Sequence, residues 1–288
     1  MESESMRLEI RGVEQGYGKK TVIRDIDMTV ESGEVVTVLG PNGSGKSTLM
    51  KTICNVLPPR EGTISIDGVS TKDLDRREFA KMVGYVPQLM VFFGQSTVYD
   101  SVLIGRKPYV EWSYSKEDID TAADAMVKMK LGMLYDRLVS ELSGGQMQRV
   151  TLARTLAQDP KFYIFDEPTS ALDLRNQLDT LKMMRSLIKE KGASMVMAMH
   201  DLNLALRYSD KVMALKDGTV YGFGPTEEII TEKMIKDVYN VDSEIHDGPK
   251  GKFIYAFDEE MDESIASGRG DAAGDGEQRS HNKERKEI

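Results

Sequence analysis

The stretch EVVTVLGPNGSGKSTLMKTI, Glu34 to Ile53, decides the fold class of this chain. An apolar run typical of a buried strand, EVVTVL, leads into a glycine-rich loop, and the helical run TLMKTI follows it. The loop has the G-x-x-x-x-G-K-[ST] spacing of a phosphate-binding loop (P-loop), set by Gly40, Gly45, Lys46 and Ser47. Strand, loop and helix occur in the order that a P-loop requires, so we predict an α/β fold built around one.

Each residue type in this loop has a chemical role. The glycines let backbone N–H groups curl around the β-phosphate of a nucleotide, Lys46 places its charge against the β and γ oxygens, and Ser47 offers its hydroxyl to Mg²⁺. We predict an ATP site formed by the whole loop: Gly40, Asn42, Gly43, Ser44, Gly45, Lys46, Ser47 and Thr48. The alternative is a glycine-rich turn that happens to contain a lysine, and the flanking strand and helix disfavour it.

A pair of carboxylates follows another apolar run. In FYIFDE, Asp166 stands at the end of the predicted strand and Glu167 comes directly after it. A P-loop needs a carboxylate to hold magnesium, so we predict that Asp166 binds Mg²⁺ through water and that Glu167 orients or deprotonates the attacking water. Without the P-loop, ordinary turn chemistry would be the better interpretation of this DE pair.

A second candidate anion site lies at LSGGQMQRV, Leu142 to Val150. Ser143 can cap a helix there, and Gly144 and Gly145 leave the backbone bare at its first turn. Exposed N–H groups and the helix dipole favour an anion at such a position. From these residues alone, a structural cap is the favoured interpretation, and the need for a second phosphate-binding element in one ATP-binding domain stays unexplained.

Composition restricts the class of protein. The 288 residues carry a formal net charge of -9, which argues against a nucleic-acid binder that works by neutralising phosphates. Cys54 is the only cysteine, so the chain can form neither an internal disulfide nor a thiolate metal cluster, and a reducing, cytoplasmic location fits. We find no apolar run long enough to span a bilayer and no targeting segment, so a membrane role would depend on a partner chain.

The order of the predicted elements indicates a parallel sheet covered on both faces. Strands and turns dominate the first part of the chain, and helical patterns dominate from about Gln88 to Pro160, including a helix capped by Ser115. Strands and helices then alternate, with a hairpin at Asp217 and Gly218 and one helix in PTEEIITEKMIKDVYN. A second predicted hairpin ends in KFIYAF, and the charged, glycine-rich residues 258–288 are typical of a disordered acidic tail.

Taken together, GPNGSGKST, LSGGQ, FYIFDEPTSALD and His200 resemble the ATP-binding subunits of ABC transporters. The resemblance covers roughly Met6 to Phe257. It implies a P-loop NTPase core with a parallel sheet, an antiparallel β subdomain and an inserted helical subdomain at about residues 89–160, within an ATP-binding domain of residues 1–257. It also implies a reason for the second anion site: two domains face each other head to tail, and each LSGGQ helix covers the nucleotide bound by the other P-loop.

The resemblance assigns further roles by position. The signature residues Ser143, Gly144, Gly145 and Gln146 contact the partner's ATP. Tyr17 stacks on adenine, Gln88 reaches Mg²⁺ and the water, and His200 contacts the γ-phosphate, with Glu167, His200 and Gln88 as the catalytic group. Asp173 couples the two facing sites, although it could equally cap the next helix. Taken singly, Tyr17 could be a hairpin tyrosine, Gln88 a loop amide and His200 a structural histidine.

The implied function is an ATPase subunit of an importer. Features such as VPQ, TVYDSVLIGRKPY and MHDLNLALRYSDKVMALKDGTVYGFG are similar to subunits that import iron chelates, haem or cobalamin. The implied partners are a second copy of the chain, membrane permease subunits and, indirectly, an extracytoplasmic binding protein, with no nucleic acid. The implied location is the cytoplasmic face of the membrane. The alternative is an ABC-type mechanoenzyme of translation or DNA maintenance, which usually has two cassettes or a long coiled coil.

Overall fold

A computed structural model of the protein describes residues 6–88, 95–169 and 172–257. Two predicted features fall at least partly outside these ranges: the tail of residues 258–288, and the beginning of the helical subdomain expected at about residues 89–160. Twelve strands occur in the described ranges, and they are β1 Arg7–Tyr17, β2 Lys20–Glu31, β3 Val35–Leu39, β4 Glu61–Ile66, β5 Val69–Ser70, β6 Val83–Val86, β7 Phe162–Asp166, β8 Ser194–Ala198, β9 Lys211–Lys216, β10 Thr219–Pro225, β11 Asp242–Gly248 and β12 Gly251–Phe257.

Nine α-helices connect or cover these strands within the same ranges. They are α1 Lys46–Ile53, α2 Arg76–Met82, α3 Val98–Leu103, α4 Lys116–Lys128, α5 Gly144–Gln158, α6 Leu174–Lys191, α7 Leu202–Tyr208, α8 Thr226–Ile229 and α9 Glu232–Tyr239. Short 3-10 helices occur at Ile104–Tyr109, Gly132–Leu134 and Val139–Glu141.

The main sheet has six strands in the order β10-β9-β3-β8-β7-β6. All neighbours pair in parallel except β9 and β10, which form the antiparallel hairpin predicted at Asp217 and Gly218. A second, antiparallel sheet has the order β2-β1-β4-β5, and β11 pairs only with β12. The predicted α/β fold with a parallel core is therefore confirmed, including the antiparallel sheet.

Two hydrophobic cores cover the two faces of the main sheet. Successive residues of β7 alternate between them: Ile164 packs with α1 and the antiparallel sheet, whereas Tyr163 and Phe165 pack with α3 to α7 and α9. All five residues of β3, of β7 and of β8 are buried, as expected for central parallel strands covered on both sides. Side chains at the carboxyl ends of these strands therefore directly follow fully buried segments of the sheet.

Caps visible in the sequence set several helix boundaries. Ser115 caps α4 as predicted, and its hydroxyl and the Asp118 carboxylate form a capping box. The prediction of one helix over PTEEIITEKMIKDVYN is wrong, because the structure forms α8 and α9 instead. The Thr231 hydroxyl accepts a hydrogen bond from Met234 N and starts a new helix there.

Candidate functional site

The P-loop joins the end of β3 to the beginning of α1. Gly40 has φ 152° and Gly45 has φ 106°, in the region that favours glycine. A Cβ at Gly40 would lie 2.5 Å from the Leu215 carbonyl oxygen, and one at Gly45 would collide with the Ile23 side chain. The two glycines are therefore required by the surrounding packing as well as by the turn, and they leave the loop backbone open to an anion at the N-terminus of α1.

Lys46 is the main cation of this loop and is only 5% exposed. Its Nζ donates to the carbonyl oxygens of Gly40 at 2.7 Å and Pro41 at 3.2 Å. Burial lowers the pKa of Lys46, while the charges of Glu167 and Asp166 oppose that shift. Nearby, Ser44 Oγ is buried with no hydrogen-bond partner in the described residues. An ammonium and a buried hydroxyl are thus available to phosphate oxygens in the same loop.

Ser47 and Asp166 meet where a P-loop holds its magnesium. Ser47 Oγ donates to Asp166 Oδ1 at 2.8 Å, which joins the first turn of α1 to the end of β7. Burial raises the pKa of Asp166, and the hydrogen bond from Ser47 opposes the shift. Hydroxyl and carboxylate oxygens are ligands that suit Mg²⁺, which keeps several waters and takes its other ligands from substrate phosphates. This donor pair fits Mg²⁺, and in the described residues no cluster of three or more Asp, Glu, His or Cys forms a separate metal site.

Tyr85 was not predicted as part of the site, although it lies in β6 only three residues before Gln88. Burial raises the pKa of Tyr85, and the charge of Asp166 raises it further. Both effects favour the neutral form of the phenol. The sequence signal for this position is the strand pattern VGYV, which leads directly to the predicted Gln88. In the structure, Tyr85 pairs with Ile164 of β7.

Glu167 lies between Gln88 and His200. Its Oε2 accepts a hydrogen bond from Gln88 Nε2 at 2.6 Å, and its Oε1 lies 3.2 Å from His200 Nδ1. These residues follow three neighbouring parallel strands, β6, β7 and β8, so the carboxyl edge of the sheet collects residues that are far apart in the chain. The structure thus brings the three predicted catalytic residues together.

Two properties distinguish Glu167 from its two neighbours. Its side chain is only 9% exposed, whereas the His200 side chain is 53% exposed. Glu167 also has φ 54°, a left-handed conformation that costs a non-glycine residue on the order of 1 kcal/mol and tends to occur at functional sites. A largely buried carboxylate in a strained conformation is suited to bind and polarise one water.

The LSGGQ segment forms the beginning of α5. Ser143 Oγ accepts from Gln146 N at 3.4 Å, and Gln146 Oε1 accepts from Ser143 N at 3.0 Å, which completes a capping box. In the described part of the chain, no hydrogen bond or ion pair joins residues 143–146 to the P-loop residues 40–48. The cap is therefore observed, and contact of this segment with a second copy's nucleotide stays a prediction.

Tyr17 and Asp173 are two further predicted site residues whose local surroundings the structure shows. Tyr17 ends β1 and is 51% exposed, so its ring is accessible for stacking. Asp173 caps α6 by accepting a hydrogen bond from Asn176 N at 2.8 Å. That bond and a second one from the Asn176 side chain lower the pKa of Asp173. Of the two roles open to Asp173, the structure shows the cap, and coupling between two sites stays a prediction.

The fold and the arrangement of Lys46, Ser47, Asp166 and Glu167 define a P-loop ATPase cassette. A family model described as ABC transporter matches residues 23–170. The chain is 45% identical over 240 residues to an uncharacterized ABC transporter ATP-binding protein of Methanocaldococcus jannaschii, covering 83% of this chain and 94% of the relative. The chain belongs to the ATP-binding subunits of ABC transporters, which are ATPases coupled to transport.

Further similarities agree with this family. The ferric enterobactin transport ATP-binding protein FepC of Escherichia coli is 35% identical, with 81% of this chain and 87% of that protein covered. A chain of an ABC transporter described as metal-chelate type, in an inward-facing conformation, superposes with TM-score 0.77 and 25% identity over 89% of this chain and 99% of that one. A dimeric structure of the bacterial ABC transporter cassette MJ0796 gives TM-score 0.69 and 29% identity over 76% of this chain and 98% of that one.

The helices described above lie in residues 6–88, 95–169 and 172–257. Each helix in these ranges is either too short or not apolar enough to cross a bilayer.

Proposed function

We propose that this chain is the ATP-hydrolysing subunit of an importer for an iron chelate, and that two copies act together on a separate membrane permease at the cytoplasmic face. The observation that carries the ATPase part is the contact of Glu167 with both Gln88 and His200 at the carboxyl edge of the sheet. The iron-chelate part is supported by relatives such as the ferric enterobactin transport protein. Haem and cobalamin are the other cargoes of the importer subunits that the sequence resembles.

The binding step uses the P-loop. Lys46 exchanges its bonds to the Gly40 and Pro41 carbonyls for phosphate oxygens, and the backbone N–H groups of residues 42–48 complete the anion site. Ser47 and Asp166 are the residues that would hold Mg²⁺. When bound, that ion neutralises charge on the phosphates and aligns the γ-phosphate for in-line attack.

The hydrolytic step depends on Glu167. Its carboxylate accepts a hydrogen bond from the attacking water and increases the water's nucleophilicity. Gln88 holds Oε2 of Glu167, and His200 lies against Oε1, so the carboxylate is oriented from both sides. The His200 side chain is 53% exposed, and in our proposal it also contacts the γ-phosphate.

The paired arrangement gives the LSGGQ segment its role. Ser143 and the bare backbone at Gly144 and Gly145 form a helix N-terminus that suits a phosphate. In our proposal this segment covers the γ-phosphate bound by the second copy, and Asp173 lies between the two sites. Closure around ATP moves the helices of the proposed subdomain at residues 89–160, and the surface at residues 88–109 carries the permease contact.

The importer proposal is tested by purifying the tagged chain from detergent-solubilised membranes of its native host and identifying the co-purifying chains by mass spectrometry. We expect a polytopic membrane protein in stoichiometric amount, and we expect an associated binding protein to retain an iron chelate. A Glu167→Gln variant should co-purify with the same permease but fail to support uptake of the labelled chelate. Recovery of ribosomal or DNA-bound partners alone would contradict the importer role and leave the ATPase assignment standing.

A further inference from the structure

Tyr85 has a buried hydroxyl that no described residue satisfies. The residue lies in β6 and packs against the core on the face of the main sheet that α1 covers. Its Oη is closed off from solvent and has no hydrogen-bond partner among the described residues. A buried polar group without a partner destabilises a folded chain, so its presence in a native protein calls for a reason, and a role in catalysis or ion binding is one.

The pairing of β6 with β7 brings Tyr85 next to Asp166. The two strands are parallel, and Tyr85 lies directly opposite Ile164. Because side chains alternate along a strand, Asp166, two residues after Ile164 at the end of β7, lies on the same face as Tyr85. A diagonal neighbour at this offset is within reach of an aromatic side chain. Burial raises the pKa of Tyr85 and the charge of Asp166 raises it further, so the phenol and the carboxylate are close enough to interact.

The Asp166 carboxylate has an oxygen available for a second donor. Its Oδ1 accepts the 2.8 Å bond from Ser47 Oγ, and no described residue donates a hydrogen bond to its Oδ2. Asp166 is only 2% exposed, so water has little access to it. An ionised carboxylate has about four lone-pair sites on its two oxygens. The unused acceptor of Asp166 and the unused donor of Tyr85 therefore lie on the same face of the sheet.

A carboxylate that serves a metal ion depends on the groups that orient it. Such carboxylates are themselves hydrogen-bonded, and loss of the outer partner typically lowers metal affinity or activity 10- to 100-fold. Hydrogen bonds of this kind are often long or poorly aligned in nucleotide-free enzymes and tighten in the loaded site. Ser47 and Asp166 are the donor pair that fits Mg²⁺, so a group that orients Asp166 acts on that ion indirectly.

We infer that the Tyr85 hydroxyl donates a hydrogen bond to Oδ2 of Asp166 when nucleotide and Mg²⁺ are bound, and that Tyr85 is a positioning residue for the Mg²⁺ site. With Ser47 on Oδ1 and Tyr85 on Oδ2, the carboxylate is held by α1 on one side and by β6 on the other. Its rotation is thereby restricted. The inference rests on the proposed ATPase function, because the ion concerned is the one that accompanies the nucleotide.

Tyr85→Phe tests this role, because it removes the hydroxyl and keeps the ring. The affinity for the non-hydrolysable ATP analogue AMP-PNP is measured by titration calorimetry, once in EDTA and once in Mg²⁺. The affinity in EDTA should be unchanged, because Lys46 and the P-loop are untouched. The gain in affinity that Mg²⁺ gives the wild-type protein should fall by about 10-fold in the variant.

Stability of the nucleotide-free protein separates this role from a purely structural one. The urea midpoint of Tyr85→Phe should be no lower than that of the wild-type protein, because the variant removes a buried hydroxyl that has no partner there. A tyrosine that serves only the fold would give the reverse result, a lower midpoint with an unchanged gain from Mg²⁺, and that result would overturn the inference.

Tyr163→Phe is the matched control. Tyr163 lies in β7 opposite Gly84, next to Tyr85 in the strand register, and its Oη is also buried without a partner among the described residues. Its ring packs on the other face of the sheet, where burial raises the pKa of Tyr163 and the charge of Asp159 raises it further. This variant should leave the gain in affinity from Mg²⁺ unchanged.

A double variant shows whether Tyr85 acts through Asp166. Tyr85→Phe combined with Asp166→Asn should gain no less from Mg²⁺ than Asp166→Asn alone, because the hydroxyl then has no carboxylate to orient. A further loss in the double variant would overturn the inference. If the wild-type protein gains affinity from Mg²⁺ and Tyr85→Phe gains as much, the inference alone fails. If the wild-type protein gains nothing from Mg²⁺, the proposed ATPase function fails with it.

Discussion

Replacing Glu167 by glutamine tests the proposed general base with the smallest change in shape. The amide retains an oxygen that can accept the 2.6 Å bond from Gln88, and the side chain is largely buried, so the local structure should persist. The basicity of the carboxylate is lost. A positioned general base contributes about 10²- to 10⁴-fold to rate, equivalent to about 3–5 kcal/mol of barrier at 1.36 kcal/mol per tenfold. We therefore expect the rate of ATP hydrolysis to fall by that factor.

The assay separates binding from chemistry. ATP affinity should be retained in Glu167→Gln, and light scattering should show a dimer that persists in MgATP because the nucleotide is not consumed. Glu228→Gln, at an exposed position of α8, is the matched control and should hydrolyse ATP at the normal rate. Normal hydrolysis by the Glu167 variant would refute the role of the carboxylate, and a monomer at saturating ATP would refute the shared-site arrangement.

Three other variants test separate parts of the site and fold. Lys46→Ala should weaken ATP binding by about 10- to 100-fold in titration calorimetry, because a charge-assisted hydrogen bond contributes about 1.5–3 kcal/mol, and unchanged affinity would refute the P-loop assignment. Asp166→Asn should stabilise the nucleotide-free protein at neutral pH, because burial raises the pKa of Asp166 and makes its ionisation unfavourable. That gain in stability should vanish below about pH 4, where aspartate is protonated in both the folded and the unfolded state. Mg²⁺ should no longer promote ATP hydrolysis by this variant. A variant that is destabilised at pH 7 would contradict the argument. Arg106→Ala should cost about 3–5 kcal/mol in urea unfolding, because it leaves Asp118 buried without its 2.9 Å ion-pair partner, and a loss below about 1 kcal/mol would show that the pair is solvated.

The main sheet and the P-loop were predictable because their signals are local. The apolar run EVVTVL became β3, and Gly40 and Gly45 adopt the backbone conformations that their spacing indicated. The Ser143 and Asp173 caps were visible for the same reason, since each involves a residue three positions further along the chain. α2 has a local signal of the same kind, because Asp75 caps it by accepting bonds from Arg77 N and Glu78 N.

Contacts between distant residues could not be derived from patterns. Gln88 and Glu167 are 79 positions apart, and only the parallel pairing of β6 with β7 brings them together. The buried Arg106–Asp118 pair was missed because the sequence around each residue indicates ordinary helical surface. The break between α8 and α9 was missed because the apolar spacing of PTEEIITEKMIKDVYN is continuous, while the Thr231 cap overrides it.

The head-to-tail arrangement is the central claim, and a mixing experiment tests it most directly. Lys46→Ala inactivates the P-loop, and Ser143→Asp keeps a good helix cap while its charge repels a γ-phosphate. Each variant alone should be inactive. A mixed dimer of the two contains one site with an intact P-loop from one chain and an intact LSGGQ segment from the other, so mixing should restore ATP hydrolysis. If the mixture stays as inactive as its components while each variant still folds, the two segments do not form one site across two copies.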